Sequence, residues 1–167
     1  MDFQINSFLL RPGEKITDLK DPKLGEKFIA IEDVAAVKNI LPDIDSDYID
    51  GYLFLKYQDS TLLSAAQWDL IDDLWAYILN LIEEMLERRY AECYFPDQPL
   101  LMSLTDQKNF VIFALYGGKK KWLLPRQEFL NALLDAAEHF FKQMKVYFPQ
   151  NQYNVELKQI EQLRLRL

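Results

Sequence analysis

The chain has 167 residues, half of them hydrophobic and 14% aromatic, and a formal net charge of −7. That length suits one domain, 1–167, with a sizeable core, and that composition excludes disorder as a description of the whole. The acid excess argues against binding driven by nucleic-acid phosphates, and the single cysteine, Cys93, excludes an intrachain disulfide or a cysteine-built zinc site.

Phe3 to Leu10 predicts a strand, stopped by the turn signal Arg11-Pro12-Gly13. Residues 14–27 are charged and predict a surface loop, and 28–31 a short strand. Val34, Val37 and Leu41 have helical spacing within 32–41, ended by Pro42. An acidic connector fills 42–50, and a strand is expected over 51–58, with a brief return at 61–63.

Ser64-Ala65-Ala66-Gln67 has the form of a capping box, which predicts the start of a long helix at Ser64. Trp68, Ile71, Leu74, Trp75, Ile78, Ile82 and Met85 continue its apolar face to about Arg89. Tyr94 to Pro99 breaks the pattern, and three strands are expected near 99–104, 109–116 and 119–124. Pro125 suits the first position of a second long helix, with Phe129, Leu133, Ala137, Phe140 and Met144 facing the core. The tail 155–167 fits a helix better than a strand, and no internal repeat or low-complexity block is visible. The expected fold is α+β. A three-strand meander with one or two further strands packs against two long amphipathic helices. In this division 51–148 forms the core, 1–50 an N-terminal part and 150–167 an extension.

No run of about eighteen uncharged apolar residues exists, so no membrane span is expected. The first residues lack the basic region of a secretory signal, which makes the cytoplasm the expected compartment. Charge is unevenly divided. Residues 1–97 carry 9 Lys/Arg against 20 Asp/Glu, whereas residues 98–167 carry 10 against 6. Within the long helix, positions 69, 72, 73, 76, 80, 83, 84 and 87 advance by three and four and form one polar stripe. At about 1.5 Å per residue the stripe is roughly 27 Å long. Asp69, Asp72, Asp73, Glu83, Glu84 and Glu87 make it acidic, and only Glu84 and Arg88 have opposite charges spaced to support each other. These six carboxylates are the candidate partner-binding residues, with Asp73, Glu83, Glu84 and Glu87 the freest of them.

Other constellations are weaker. Asp43, Asp45 and Asp47 open like a calcium loop, but Tyr48 and Phe54 stand where a sharp turn and a bidentate carboxylate are needed. His139 is the only histidine, and a contact with Asp135 one turn earlier is expected. A Cys93–His139 dyad would need a thiol with a lowered pKa. The tryptophans at helical spacing suit a core better than a stacking platform. Lys119-Lys120-Lys121 suits a hairpin tip. No cofactor, metal or catalytic set is expected.

The segments Gly51-Tyr52-Leu53-Phe54, Gln67 to Tyr77, Phe95-Pro96-Asp97-Gln98-Pro99 and Pro125 to Phe129 are similar to small bacterial proteins that resemble the immunity proteins of polymorphic-toxin systems. The resemblance covers about 51–148. It implies a cytoplasmic, non-enzymatic domain that neutralises a basic toxin, with no nucleic-acid or membrane partner. In it, Asp69 and Asp72 flank tryptophans that pin the helix to the sheet. Two alternatives stand beside it: a DNA-mimic inhibitor of a nucleic-acid-binding protein, and an enzyme with a carboxylate site.

Overall fold

Alternating apolar residues give β1 (Phe3–Leu10), which lies between β2 (Phe28–Ala30) and β3 (Asp50–Tyr57), and β3 pairs onward with β4 (Ser60–Leu63). The two-residue β5 (Asp69–Leu70) pairs with the start of β3 and completes this first antiparallel sheet. The second sheet is a plain meander of β6 (Tyr90–Tyr94), β7 (Leu101–Gln107), β8 (Phe110–Leu115) and β9 (Lys120–Pro125). Four helices accompany them: α1 (Val34–Ile40), α2 (Ile71–Arg88), α3 (Arg126–Tyr147) and α4 (Asn154–Arg164). The structure is a computed structural model that describes residues 2–167. The fold is α+β with its two long helices where their apolar periodicity places them. The strands form two sheets, however, and β6 was not among those expected. Arg89, in the left-handed region at φ 67°, ends α2 and turns the chain straight into β6.

Both sheets and all four helices share one hydrophobic cluster, with Val37 contributed by α1. Leu9 and Leu53 come from the first sheet, Met102 and Phe113 from the second, and Trp75, Phe140 and Ile160 from α2, α3 and α4. The N-terminal part, the central part and the C-terminal extension thus contribute to the same core. The helices are exchanged between sheets. α2 follows the first sheet but packs on β6 and β7, and α3 follows the second sheet but also packs on β1. Polar pins register these layers: the buried Trp75 indole donates to Ser7 Oγ (2.9 Å), and the Tyr147 hydroxyl donates to the Ile31 carbonyl (2.6 Å). No helix among the described residues is long and apolar enough to cross a membrane.

One order of elements occurs twice. A two-residue hairpin is followed by a 3-10 turn, a further strand and a long helix. This describes β3 to α2 and again β7 to α3. The hairpins match in having a positive-φ residue at the same place, Gln58 in one and Lys108 in the other. Only the backbone order is shared, so nothing in the residue pattern shows it.

Gly51 holds the region that positions α2. It pairs with Leu9 on one side and with Asp69 on the other. A Cβ here would overlap the Phe8 carbonyl oxygen and press on Ile71 Cγ2 at 3.0 Å. Backbone cannot yield to a methyl group as a flexible side chain does, so β1, β3 and the start of α2 would have to part. Gly51→Ala is expected to lower stability by about 3 kcal/mol, measured by urea denaturation. A variant within about 0.5 kcal/mol of the parent would contradict this close packing.

Candidate functional site

The helix expected to begin at Ser64 begins at Ile71. Ser64 and Gln67 do form a capping box, but it closes a separate 3-10 turn, Ala65–Gln67. The chain then extends through Trp68 (ψ 147°) into β5 before α2 starts. Asp69, expected on the helix stripe, is therefore not helical and is 1% exposed. Its carboxylate accepts from the backbone N–H groups of Leu70 (2.7 Å), Asp97 (3.0 Å) and Gln98 (2.9 Å). Such a group organises the protein and cannot itself touch a partner.

Asp72, expected on the open face, is half-buried and accepts from the Tyr153 hydroxyl at 2.8 Å. Burial raises its pKa, and the tyrosine bond partly offsets that rise. Glu83 accepts from Gln159 Nε2 (2.7 Å), which also reaches Asn80 Oδ1. Arg166 lies 3.8 Å from Glu83 and 3.7 Å from Glu87. The outer stripe of α2 is thus a seat for α4 and the residues beside it, and the basic counterweight missing within the helix comes from the C-terminal segment. Glu84 pairs with Arg88 at 3.2 Å on the other flank. Of the six carboxylates, Asp73 and Glu87 are exposed and Glu83 and Glu84 are partly so.

Folding brings in two acids that the stripe does not contain. Asp50, Asp69 and Asp97 line a shallow concavity of about 220 Å³ with Trp68 and Gln98. Asp73 is close enough to feel the charge of Asp69. The pKa of Asp50 is raised by burial and then by Asp69 and Asp97, and that of Asp73 by burial and then by Asp69. None of these four is in an ion pair among the described residues. The indole N–H of Trp68 is buried without an acceptor. The site therefore carries uncompensated negative charge at the start of α2. The turn Phe95 to Pro99 was visible in the sequence as a motif, but nothing in residue spacing said that it would meet Asp50.

The other constellations fall elsewhere. His139 lies 3.3 Å from Glu32 instead of Asp135, because Asp135 is engaged by Arg164 at 2.7 Å. The Cys93 thiol is pushed up to about 11, first by burial and then by Glu84, which leaves little thiolate at neutral pH. Trp75 is core, and Trp122 stacks on Phe113 with ring centroids 5.8 Å apart. Lys119 to Lys121 span the corner into β9, with Lys120 5.8 Å from the Tyr116 ring centre. Among the described residues no three His, Cys, Asp or Glu side chains are placed to hold a metal ion. Comparison with protein-family models, curated proteins and solved structures finds no match to this chain.

The raised carboxylates fix a sign. A group whose folded pKa lies above its unfolded value binds its proton more tightly in the folded state, so stability falls as pH rises through that interval. Asp50→Asn and Asp73→Asn are each expected to raise the thermal midpoint at pH 7. The gain should shrink as pH falls toward the ordinary value of 3.8. Asp69→Asn should instead lower the midpoint at pH 7 and cost about 2 kcal/mol, because it weakens charge-assisted bonds from three backbone donors. Calorimetric melts between pH 4 and 7 check both signs.

Proposed function

We propose that this chain is a non-enzymatic, immunity-type binding protein that neutralises a basic toxin domain in the bacterial cytoplasm. The observation that carries this reading is the uncompensated acidic end, where Asp50, Asp73 and Asp97 gather in front of the buried Asp69. Acids left together at a cost in stability fit a surface selected for recognition. A lysine or arginine from the partner would meet the exposed carboxylates of Asp73 and Asp97. Long-range attraction would speed encounter, while packed apolar contacts would supply most of the affinity.

Three features support binding over catalysis. The concavity is shallow, the Cys93 thiol holds its proton, and His139 is tied to Glu32. A DNA mimic would need a row of free carboxylates at phosphate-like spacing. Tyr153, Gln159 and Arg166 occupy much of the only such row.

The test is titration of a basic protein encoded beside this chain, at two ionic strengths. Asp73→Lys and Asp97→Lys should each weaken binding about fivefold and flatten its salt dependence. Glu128→Lys, on α3 away from the site, should change it little. Binding indifferent to both reversals would sink the proposal, and displacement of the chain by DNA from a shared partner would favour mimicry.

A further inference from the structure

The second sheet has one face on the core and one open. Met102, Val111, Phe113 and Leu124 are at most 5% exposed on the inner face. On the outer face Tyr90 is 46% exposed, Tyr94 60%, Phe110 44% and Leu123 59%. These account for four of the chain's exposed large hydrophobic residues, on one small sheet. The pairing register sets that face out as rows. Glu92, Ser103, Ala114 and Lys121 form one row across β6, β7, β8 and β9, and Tyr90, Thr105, Ile112 and Leu123 form the next.

The first row carries a charge at each end with small residues between. Three strand intervals at about 4.8 Å put Glu92 and Lys121 roughly 14 Å apart, too far to pair within one chain. Neither takes part in an ion pair within the described residues, and Glu92 accepts only from the neighbouring Tyr90 hydroxyl on the same face. A two-fold axis parallel to the strands, lying between two facing sheets, reverses the order of strands and keeps the rows in register. It sets Glu92 of one copy against Lys121 of the other, twice, and Tyr90 against Leu123, with Ser103 half-buried and Ala114 only 5% exposed, recessed at the centre. A two-fold axis across the strands would instead turn β6 onto β6 and match no opposite charges. The face is self-complementary in one orientation only.

We propose that this face is where a second copy of the chain docks, as an aligned sheet-on-sheet dimer about a two-fold axis parallel to the strands. The apolar side chains supply the contact, and the paired Glu92–Lys121 contacts select the orientation. Four strands and roughly six residues of rise give a footprint on the order of 400 Å² per copy, about half the standard size and in the range of weak, transient association. The association is therefore reversible and depends on concentration. It involves none of Asp50, Asp69, Asp73 or Asp97, so it stands or falls separately from toxin binding.

Sedimentation velocity over a concentration series tests it, with circular dichroism confirming the fold of each variant. The parent chain is expected to shift from monomer to dimer. Glu92→Lys or Lys121→Glu should each weaken the dimer about tenfold, because symmetry makes every lost pair count twice. The double variant Glu92→Lys/Lys121→Glu should restore it, and Leu123→Asp should abolish it. A parent chain that stays monomeric throughout overturns the proposal. So does a dimer unaffected by both single reversals, or a double variant no better than the singles.

Discussion

The Asp69 carboxylate is the interaction on which the rest of the arrangement depends. Burying a charge without partners costs several kcal/mol, so a carboxylate that is 1% exposed must be met by donors. Here the donors are backbone N–H groups, one adjacent and two lying 28 and 29 residues onward. Gln98 adds a return bond from its Nε2 to the Trp68 carbonyl. One side chain thus holds β5 extended against β3, fixes where α2 can begin, and ties down the turn between β6 and β7. The placement of the second sheet relative to the first runs through that contact and through the shared apolar core.

The same contact explains the uneven electrostatics. A charge fixed at the start of α2 suits the helix dipole but repels its neighbours, and it adds to the burial that already makes Asp50 and Asp73 hold protons more tightly. Farther along α2 the problem is solved within the chain. The C-terminal segment is basic, and folding brings Arg166 to Glu83 and Glu87 and Arg164 to Asp135 and Glu138. Tyr153 and Gln159 complete the cover over the stripe. At the start of α2, Asp69 and Asp73 have no cation among the described residues, whereas charge farther along the stripe is taken up by packing.

What was legible in the sequence follows from how local each signal is. The apolar faces of α2 and α3, the meander of β7 to β9 and the eight-residue β1 are set by periodicity, and they stand where it puts them. Helix α4 was legible for the same reason, but what it covers was not, because Tyr153, Gln159 and Arg166 meet α2 across about 80 residues. The capping box at Ser64 was read correctly as a cap and assigned to the wrong helix. Its geometry requires one turn only, and the pull of Asp69 on residues 97–98 then stretches the chain. β6 was hidden because a positive φ at Arg89 reverses the chain without glycine. Asp50 and Asp97 could not be paired from spacing, since β-sheet pairing and a buried carboxylate bring them together.

The two surfaces share one axis of the molecule. α2 and β6 run in opposite directions, so the start of α2 and the end of β6 lie together, as the bonds between Asp69 and residues 97–98 show. The acidic end therefore adjoins the Tyr94 end of the open sheet. A two-fold axis parallel to the strands preserves strand direction, so in such a dimer both acidic ends point the same way. Two clusters presented on one side would attract a basic surface more strongly than either alone, provided the partner can reach both. They would also repel each other across the dimer, and a partner that neutralised both would relieve that repulsion. Partner binding and self-association would then reinforce each other through charge alone, with no change of fold required.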